Sequence, residues 1–247
     1  MHGGTRGWHA LVLLVLLLTR LARADGIGGA AGVSSDDVFR GLSQNEGRLS
    51  VQGDLHYATA QWYGGLSAEM VRRGADHPGA ELIAYAGYEQ RWSDNWTGSL
   101  ALRHYDYPGN AIQTRYNYDE LSATLRWREL LGLTVSASPD TYAYARETAY
   151  AGGTSFTYPR FGSGAAYCYE LTVRQPLAWG LSASGGVGYY DLAREIGSGY
   201  TYWSAGLGRQ WRTWNFDLRY IGTGSLARRL FGAAAGDRLV VSALWFF

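Results

Sequence analysis

From Val33 to the carboxy terminus, apolar side chains alternate with polar or small ones in short runs, and the period is two. Successive side chains of a strand point to opposite faces, so each run predicts a strand with one apolar and one polar face. Between Asn117 and Glu129, Asp119, Leu121, Ala123, Leu125 and Trp127 share one face, and Tyr118, Glu120, Ser122, Thr124, Arg126 and Arg128 share the other. The next run sets Leu131, Leu133, Val135 and Ala137 against Gly132, Thr134, Ser136 and Ser138. Further on, Trp214, Phe216, Leu218 and Tyr220 oppose Asn215, Asp217 and Arg219. The 3.6-residue period of a long amphipathic helix is not found beyond the first two dozen residues.

Dividing the pattern at its breaks predicts twelve strands, at 33–44, 50–59, 61–71, 80–92, 95–108, 117–129, 130–144, 165–178, 180–193, 199–212, 213–224 and 237–247. Many approach the roughly 10 residues, at about 3.3 Å each, that a strand inclined by about 45° needs to cross the apolar band of a bilayer. The joints alternate as well. Those at Ala60, Ser93-Asp94, Glu129-Leu130, Ala178-Trp179 and Arg212-Thr213 are short, whereas Arg72 to Gly79, Gly109 to Tyr116, Thr141 to Gly164 and Ser225 to Gly236 are long. Asn45 to Leu49 is a shorter member of the second set. An even number of strands with tight turns at one end and longer loops at the other predicts an all-β protein, an antiparallel up-and-down transmembrane β-barrel of the Gram-negative outer membrane with both termini in the periplasm.

Three further features bear on that expectation. The last run, Leu239, Val241, Ala243, Trp245 and Phe247, is apolar at every second place and ends on an aromatic, which resembles the pattern read by the barrel assembly machinery, with Trp245 and Phe247 as its assembly signal. Trp62, Trp92, Trp96, Trp179, Trp211 and Trp214 all sit near short joints, as an interfacial aromatic girdle requires. At the other end of the chain, Arg6, the apolar run Ala10 to Leu18 and the small-x-small step Ala22-Arg23-Ala24 predict a secretory signal peptide over residues 1–24, too short to span a bilayer as a helix, followed by a single barrel domain over 25–247.

Gly and aromatic residues are abundant, Pro and Met scarce, and every basic side chain other than histidine is Arg. Loss of the signal leaves the chain slightly acidic, which argues against a nucleic-acid partner. Cys168 is the single cysteine, without a disulfide partner or metal-ligand spacing, and reads as a small strand residue. No metal and no cofactor are expected; outer-membrane lipid is the expected partner, and oligomeric state is left open.

The stretch Val38 to Tyr57, with Phe39-Arg40-Gly41 and Ser43-Gln44 its most specific part, resembles the opening of the Gcw_chp family of proteobacterial secreted proteins. Trp62-Tyr63-Gly64-Gly65, Tyr85-Ala86-Gly87-Tyr88, Tyr105 to Gly109, Ser138-Pro139-Asp140 and Gly188 to Asp191 are similar to later steps of that family. The Gly- and Tyr-rich stretch Tyr142 to Gly164 departs from it and reads as an enlarged outer loop. The resemblance implies an outer-membrane barrel without an established activity.

The inward parity collects charge of both signs. Asp54, His56, Glu69, Glu89, Arg103, Glu120, Arg126, Arg128, Glu170, Arg174, Asp217 and Arg219 are the expected lumen lining, away from the lipid face, where an Arg at the bilayer midplane costs about 2–4 kcal/mol. Arg40 joins them if Phe39 and Gly41 face lipid; it would then pair with a carboxylate such as Asp54 or clamp the seam between first and last strands. These charges either line a narrow channel for small polar solutes or close the lumen by pairing, since twelve strands lie between barrels filled by side chains and barrels that hold water. A non-conducting structural or surface-interaction barrel is the alternative. An interfacial hydrolase would need Ser with His; only His56, His77 and His104 follow the signal, no nucleophile-elbow motif occurs, and no enzyme activity is expected. Protein exported from a Gram-negative host should begin near Asp25 by N-terminal mass analysis; retention of Arg6 to Arg23 in the membrane-inserted protein would contradict the signal assignment.

Overall fold

A computed structural model describes residues 26–72, 79–108, 116–151 and 154–247; the predicted signal peptide and His77 lie outside the described residues. The strands are β1 (Gly26–Ser34), β2 (Val38–Phe39), β3 (Leu42–Ser43), β4 (Ser50–Ala58), β5 (Trp62–Met70), β6 (Ala80–Arg91), β7 (Trp96–Asp106), β8 (Tyr118–Trp127), β9 (Leu131–Ala151), β10 (Thr154–Pro176), β11 (Leu181–Asp191), β12 (Tyr200–Trp211), β13 (Trp214–Thr223) and β14 (Arg238–Phe246). All but β2 and β3 form one closed antiparallel barrel of twelve strands, each paired with its neighbours along the chain. The seam joins β1 to β14 from Ala30↔Phe246 to Ser34↔Ser242. Gly29 and Phe247 extend it by exchanging backbone hydrogen bonds of 2.9 and 3.0 Å, so the last residue of the chain lies within the ladder.

The alternation read from the sequence is the pleat of this barrel. Leu100, Leu102, Leu121, Leu133, Leu171, Val187, Leu218 and Val241 point outward and are exposed, while Thr97, Arg103, Ser122, Arg126, Ser136 and Asp217 point inward and are buried. A continuous apolar exterior around a polar interior is the reverse of a water-soluble barrel, and hydrocarbon is the medium that covers it. At the short-turn end, Arg128 and Glu129 take positive φ angles of 51° and 56°, the backbone of a type I′ turn that matches strand twist. The six predicted girdle tryptophans are exposed there. Arg128 and Arg212 lie over the neighbouring Trp127 and Trp211 rings at 4.9 and 5.6 Å, apolar stems along the ring and charge toward water.

Two predicted elements are corrected. The first barrel strand is Gly26–Ser34 rather than 33–44, because its sequence GIGGAAGVS holds small residues with almost no apolar-polar contrast for periodicity to detect. Residues 35–49 instead leave the wall and form the β2–β3 hairpin. The expected loop from Thr141 to Gly164 is mostly sheet, as β9 and β10 continue past the barrel and pair from Thr141↔Gly164 to Ala151↔Thr154. A bulge separates the two parts, with Pro139 and Asp140 facing the single residue Ala165. Pro139 cannot donate to a ladder and sits where one is broken. Beyond the bulge the buried positions shift parity, from Ser136 and Ser138 to Thr141, Ala143 and Ala145.

That parity shift turns the hairpin's apolar residues over the long-loop mouth. Ala143 and Ala145 pack with Leu42 of β3, Leu192, Ile196 of a short helix α1 (Ala193–Ile196), Ala227 and Phe231 of α2 (Ser225–Phe231), and Ala235, all resting on Tyr190, Tyr200 and Tyr202. The result is an apolar cap over one end of the barrel. Leu102 sits mid-strand on the outer face, so Leu102→Arg should cost about 2–4 kcal/mol in urea unfolding from phospholipid vesicles; a change below about 0.5 kcal/mol would place this face outside hydrocarbon.

Candidate functional site

The hairpin β2–β3 turns through Arg40 and Gly41, whose φ angles are 48° and 81°. Gly41 is required twice over, by its left-handed backbone and because a Cβ there would lie 2.5 Å from Thr223 Cγ2 and 2.8 Å from Tyr202 Cβ. The tip is pressed against the barrel wall from inside. Neither Phe39 nor Gly41 meets lipid, and Phe39 has no exposed surface. Arg40 therefore enters the lumen by a different route from the one expected: it projects from a hairpin tip rather than from the wall.

Its guanidinium lies between the rings of Phe39 and Tyr190, at 4.4 and 4.3 Å. Nη2 donates to Glu120 Oε2 at 2.5 Å, and the two side chains are 2% and 1% exposed. Arg40 is thus paired with Glu120 on β8 rather than with Asp54, and it lies away from the seam. Around this pair, Arg103 Nη1 donates to Ser122 Oγ at 2.7 Å and stands 3.9 Å from Glu120. Tyr202 donates to Glu170 at 3.0 Å, with Cys168 Sγ 3.2 Å from the same hydroxyl. Burying both ions is costly, so the pair specifies where the hairpin docks more than it adds net stability.

At the root of the hairpin, Asp36 accepts from Arg238 Nη1 at 2.6 Å, Ser43 Oγ at 2.9 Å and the Gly47 amide at 3.2 Å. Burial raises the Asp36 carboxyl above its ordinary value, against the opposing pull of Arg238 and the other donors. Asn45, fully buried, holds the carbonyls of Arg48 and Leu49 at 2.6 and 2.8 Å. Residues 36–49 are thereby fixed at the tip, at the root and on the return.

Below the hairpin the interior divides into two halves. On the β14, β1, β5 and β6 side, Leu244, Phe246, Ala30, Tyr63 and Tyr85 fill it, and Asp54 accepts from Tyr85 at 2.7 Å and binds His56 at 2.6 Å. On the opposite side lies a narrow chamber with a volume of about 100 Å³, with Arg103 and Glu170 toward the hairpin and Glu129 and Leu130 at the short-turn end. Its walls carry hydroxyls, among them Thr124, Thr134, Ser184 and Ser204, and charges in pairs. Arg126 binds Glu89 and stands 3.4 Å from Glu129, while Arg219 donates to Asp217 at 3.0 Å.

Eleven of the twelve expected wall positions therefore point inward. Arg174 lines the chamber, and Glu69 stands in register with Glu81 on the next strand. Arg128 does not point inward, because β8 ends at Trp127 and Arg128 belongs to the exposed turn, bound to Asn95 Oδ1 at 2.7 Å. Trp245 and Phe247 face outward with rings 4.9 Å apart. His104 and Asp119 depart from the rule that charge avoids the outer face. They form an outward pair at 2.8 Å near the long-loop ends of β7 and β8, beside Asp140. Both described histidines bind aspartates rather than a serine. The parity rule could have found Glu81 and Tyr85, which share a face with Glu89; no pattern pointed to Asp36.

Arg40→Ala removes the cation from a buried pair, a loss on the order of 3 kcal/mol or more for hairpin docking. Limited proteolysis should then cut within residues 36–48 while the barrel stays heat-modifiable on a gel. A hairpin as resistant as wild type would show that Arg40 does not hold it.

The chain is similar in fold to the NanC porin, with TM-score 0.52 at 9% identity over 90% of this chain and 100% of that one. An outer membrane channel from Pseudomonas putida F1 aligns with TM-score 0.48 at 10% identity over 91% and 96% of the two chains. The Pseudomonas putida toluene transporter TodX aligns with TM-score 0.48 at 8% identity over 99% and 94%. At these identities the likeness concerns the fold alone, and it rests on the first of the three. A comparison with curated proteins finds no match. The profile described as "Bacterial protein of unknown function (Gcw_chp)" matches residues 25–247, the whole length beyond the predicted signal peptide. The chain belongs to the Gcw_chp family.

Proposed function

We propose that the protein is an outer-membrane barrel whose chamber opens to the periplasm and whose outer mouth is shut by its own first loop, and that it passes small polar solutes when that loop moves. The observation that carries this reading is the pairing of Arg40 with Glu120, a contact between a hairpin and the wall directly above a polar chamber. A wall that served only to close the barrel could be packed with apolar side chains, as it is around Phe246. Instead, hydroxyls and neutralised charge pairs remain along the β7 to β13 side, where a passing solute finds donors and acceptors without a net field that would trap an ion. Export by a signal peptide over residues 1–24, with cleavage near Asp25, completes the assignment to the outer membrane.

A second reading has its own observation. The cap and the β2–β3 hairpin, a plug of the lumen, together seal the long-loop end with an apolar core, the arrangement of a non-conducting barrel that presents a surface. Planar-bilayer recordings separate the two. Wild-type protein should show rare openings and Arg40→Ala long-lived ones, with Arg126→Ala in the Arg40→Ala background shifting ion selectivity toward cations. Silence from both heat-modifiable proteins would reject the channel and leave the surface-presenting barrel.

A further inference from the structure

The cap contains a buried carboxylate that none of the hairpin's contacts use. Glu195, on helix α1, is 2% exposed, and among the described residues no side chain or neighbouring backbone group bonds to either carboxylate oxygen; the opposing hydrogen-bond donor is the residue's own backbone amide. Burial of an ionised carboxylate in that condition is unfavourable by several kcal/mol, so its protonation state and its burial are coupled. The helix lies directly on the β9–β10 extension. A Cβ at Gly162 would come within 1.8 Å of the Glu195 carbonyl oxygen, so backbone meets backbone there. The next residue, Ile196, belongs to the cap core together with Leu42 of the plug. The surroundings supply little compensation. Among the described residues, Glu195's own backbone amide favours its ionisation, Asp191 at the end of β11 disfavours it, and Arg194 on its own helix favours it weakly; the other titratable neighbour is the buried Tyr190 phenol. The facing cap residues Gly162 and Gly164 of β10 and Ala143 and Ala145 of β9 carry no charge.

We propose that Glu195 makes the cap a pH-operated lid, packed onto the β9–β10 extension when the carboxyl is protonated and loosened when it ionises. Burial, with Asp191 adding to it, pushes this carboxyl from an ordinary 4.5 up to about 7. A group whose value is raised in the closed state binds its proton more tightly there than in the open state. Closure is therefore strongest below about pH 4.5, weakens as pH rises toward 7, and levels off above that, for a total change in the opening constant of up to ~300-fold. The device belongs to the cap alone and operates whether or not the barrel conducts.

Hydrogen exchange at the Glu195, Ile196 and Gly197 amides reads it directly, because these donate to Leu192 and Ala193 carbonyls at 2.9 to 3.1 Å within the helix. After correction for intrinsic exchange, their opening constant in the folded barrel should rise between pH 4.5 and 8 by ten-fold or more, up to ~300-fold. Glu195→Gln should abolish the rise and keep α1 closed at pH 8. A wild-type opening constant flat across that range, or an equal rise in the Gln variant, would overturn the proposal. Should Glu195→Gln fail to form a heat-modifiable barrel, Asp191→Asn supplies the test: it retains an acceptor for the Ala193 amide, now 3.0 Å from Asp191 Oδ1, and removes the neighbouring charge. The pH midpoint should then fall, and an unmoved midpoint would equally overturn the assignment.

Discussion

A strand placed in hydrocarbon cannot leave backbone amides and carbonyls to water, and each unpaired group there costs several kcal/mol. The barrel answers this by closing β1 on β14, and the closure reaches to the last residue, since Phe247 exchanges hydrogen bonds with Gly29. Much of the remaining architecture is a consequence. A closed antiparallel sheet of twelve strands has short turns at one end and room for long connections at the other. Its pleat sends one set of side chains to lipid and the other into a lumen that something must occupy.

Twelve strands enclose more space than their own inward side chains fill. Aromatic residues from β5, β6 and β14 occupy one side, and the chain fills the long-loop end by folding residues 35–49 inward. The plug needs a reason to dock in one place. Apolar contact alone is non-directional, whereas a guanidinium held between two rings and bonded to one carboxylate has a single good position. Arg40 with Glu120 provides that position, and Asp36 with Arg238 fixes the root. What is left over is the chamber on the β7 to β13 side, where hydroxyls and paired charges face water.

The cap depends on a local break in the sheet. Pro139 and Asp140 opposite Ala165 shift the parity of β9, so that Ala143 and Ala145 turn toward the barrel mouth rather than away from it. Small residues at those positions, and at Gly162 across the hairpin, let α1 approach backbone to backbone. That close approach excludes water from Glu195, which is how a helix of four residues comes to hold a buried carboxylate.

Periodicity of two, the alternation of short and long joints and the terminal aromatic were enough to determine the barrel, eleven of its twelve strands and the side of the wall on which Asp54, Arg103, Glu120, Arg126, Glu170 and Asp217 lie, because each follows from local pleat geometry. Local pattern failed where contrast was missing, in the Gly- and Ala-rich β1, and where a strand ended two residues early, so that Arg128 went to a turn. It also read Val33 to Gln44 as one strand, since the same alternation serves a wall strand and a hairpin packed within the lumen. Tertiary structure alone decided that Arg40 meets Glu120, eighty residues away, and that Glu195 is buried in the cap. Those outcomes depend on which elements share the lumen and the cap, and spacing along a chain carries no information about a meeting between a loop and a distant wall.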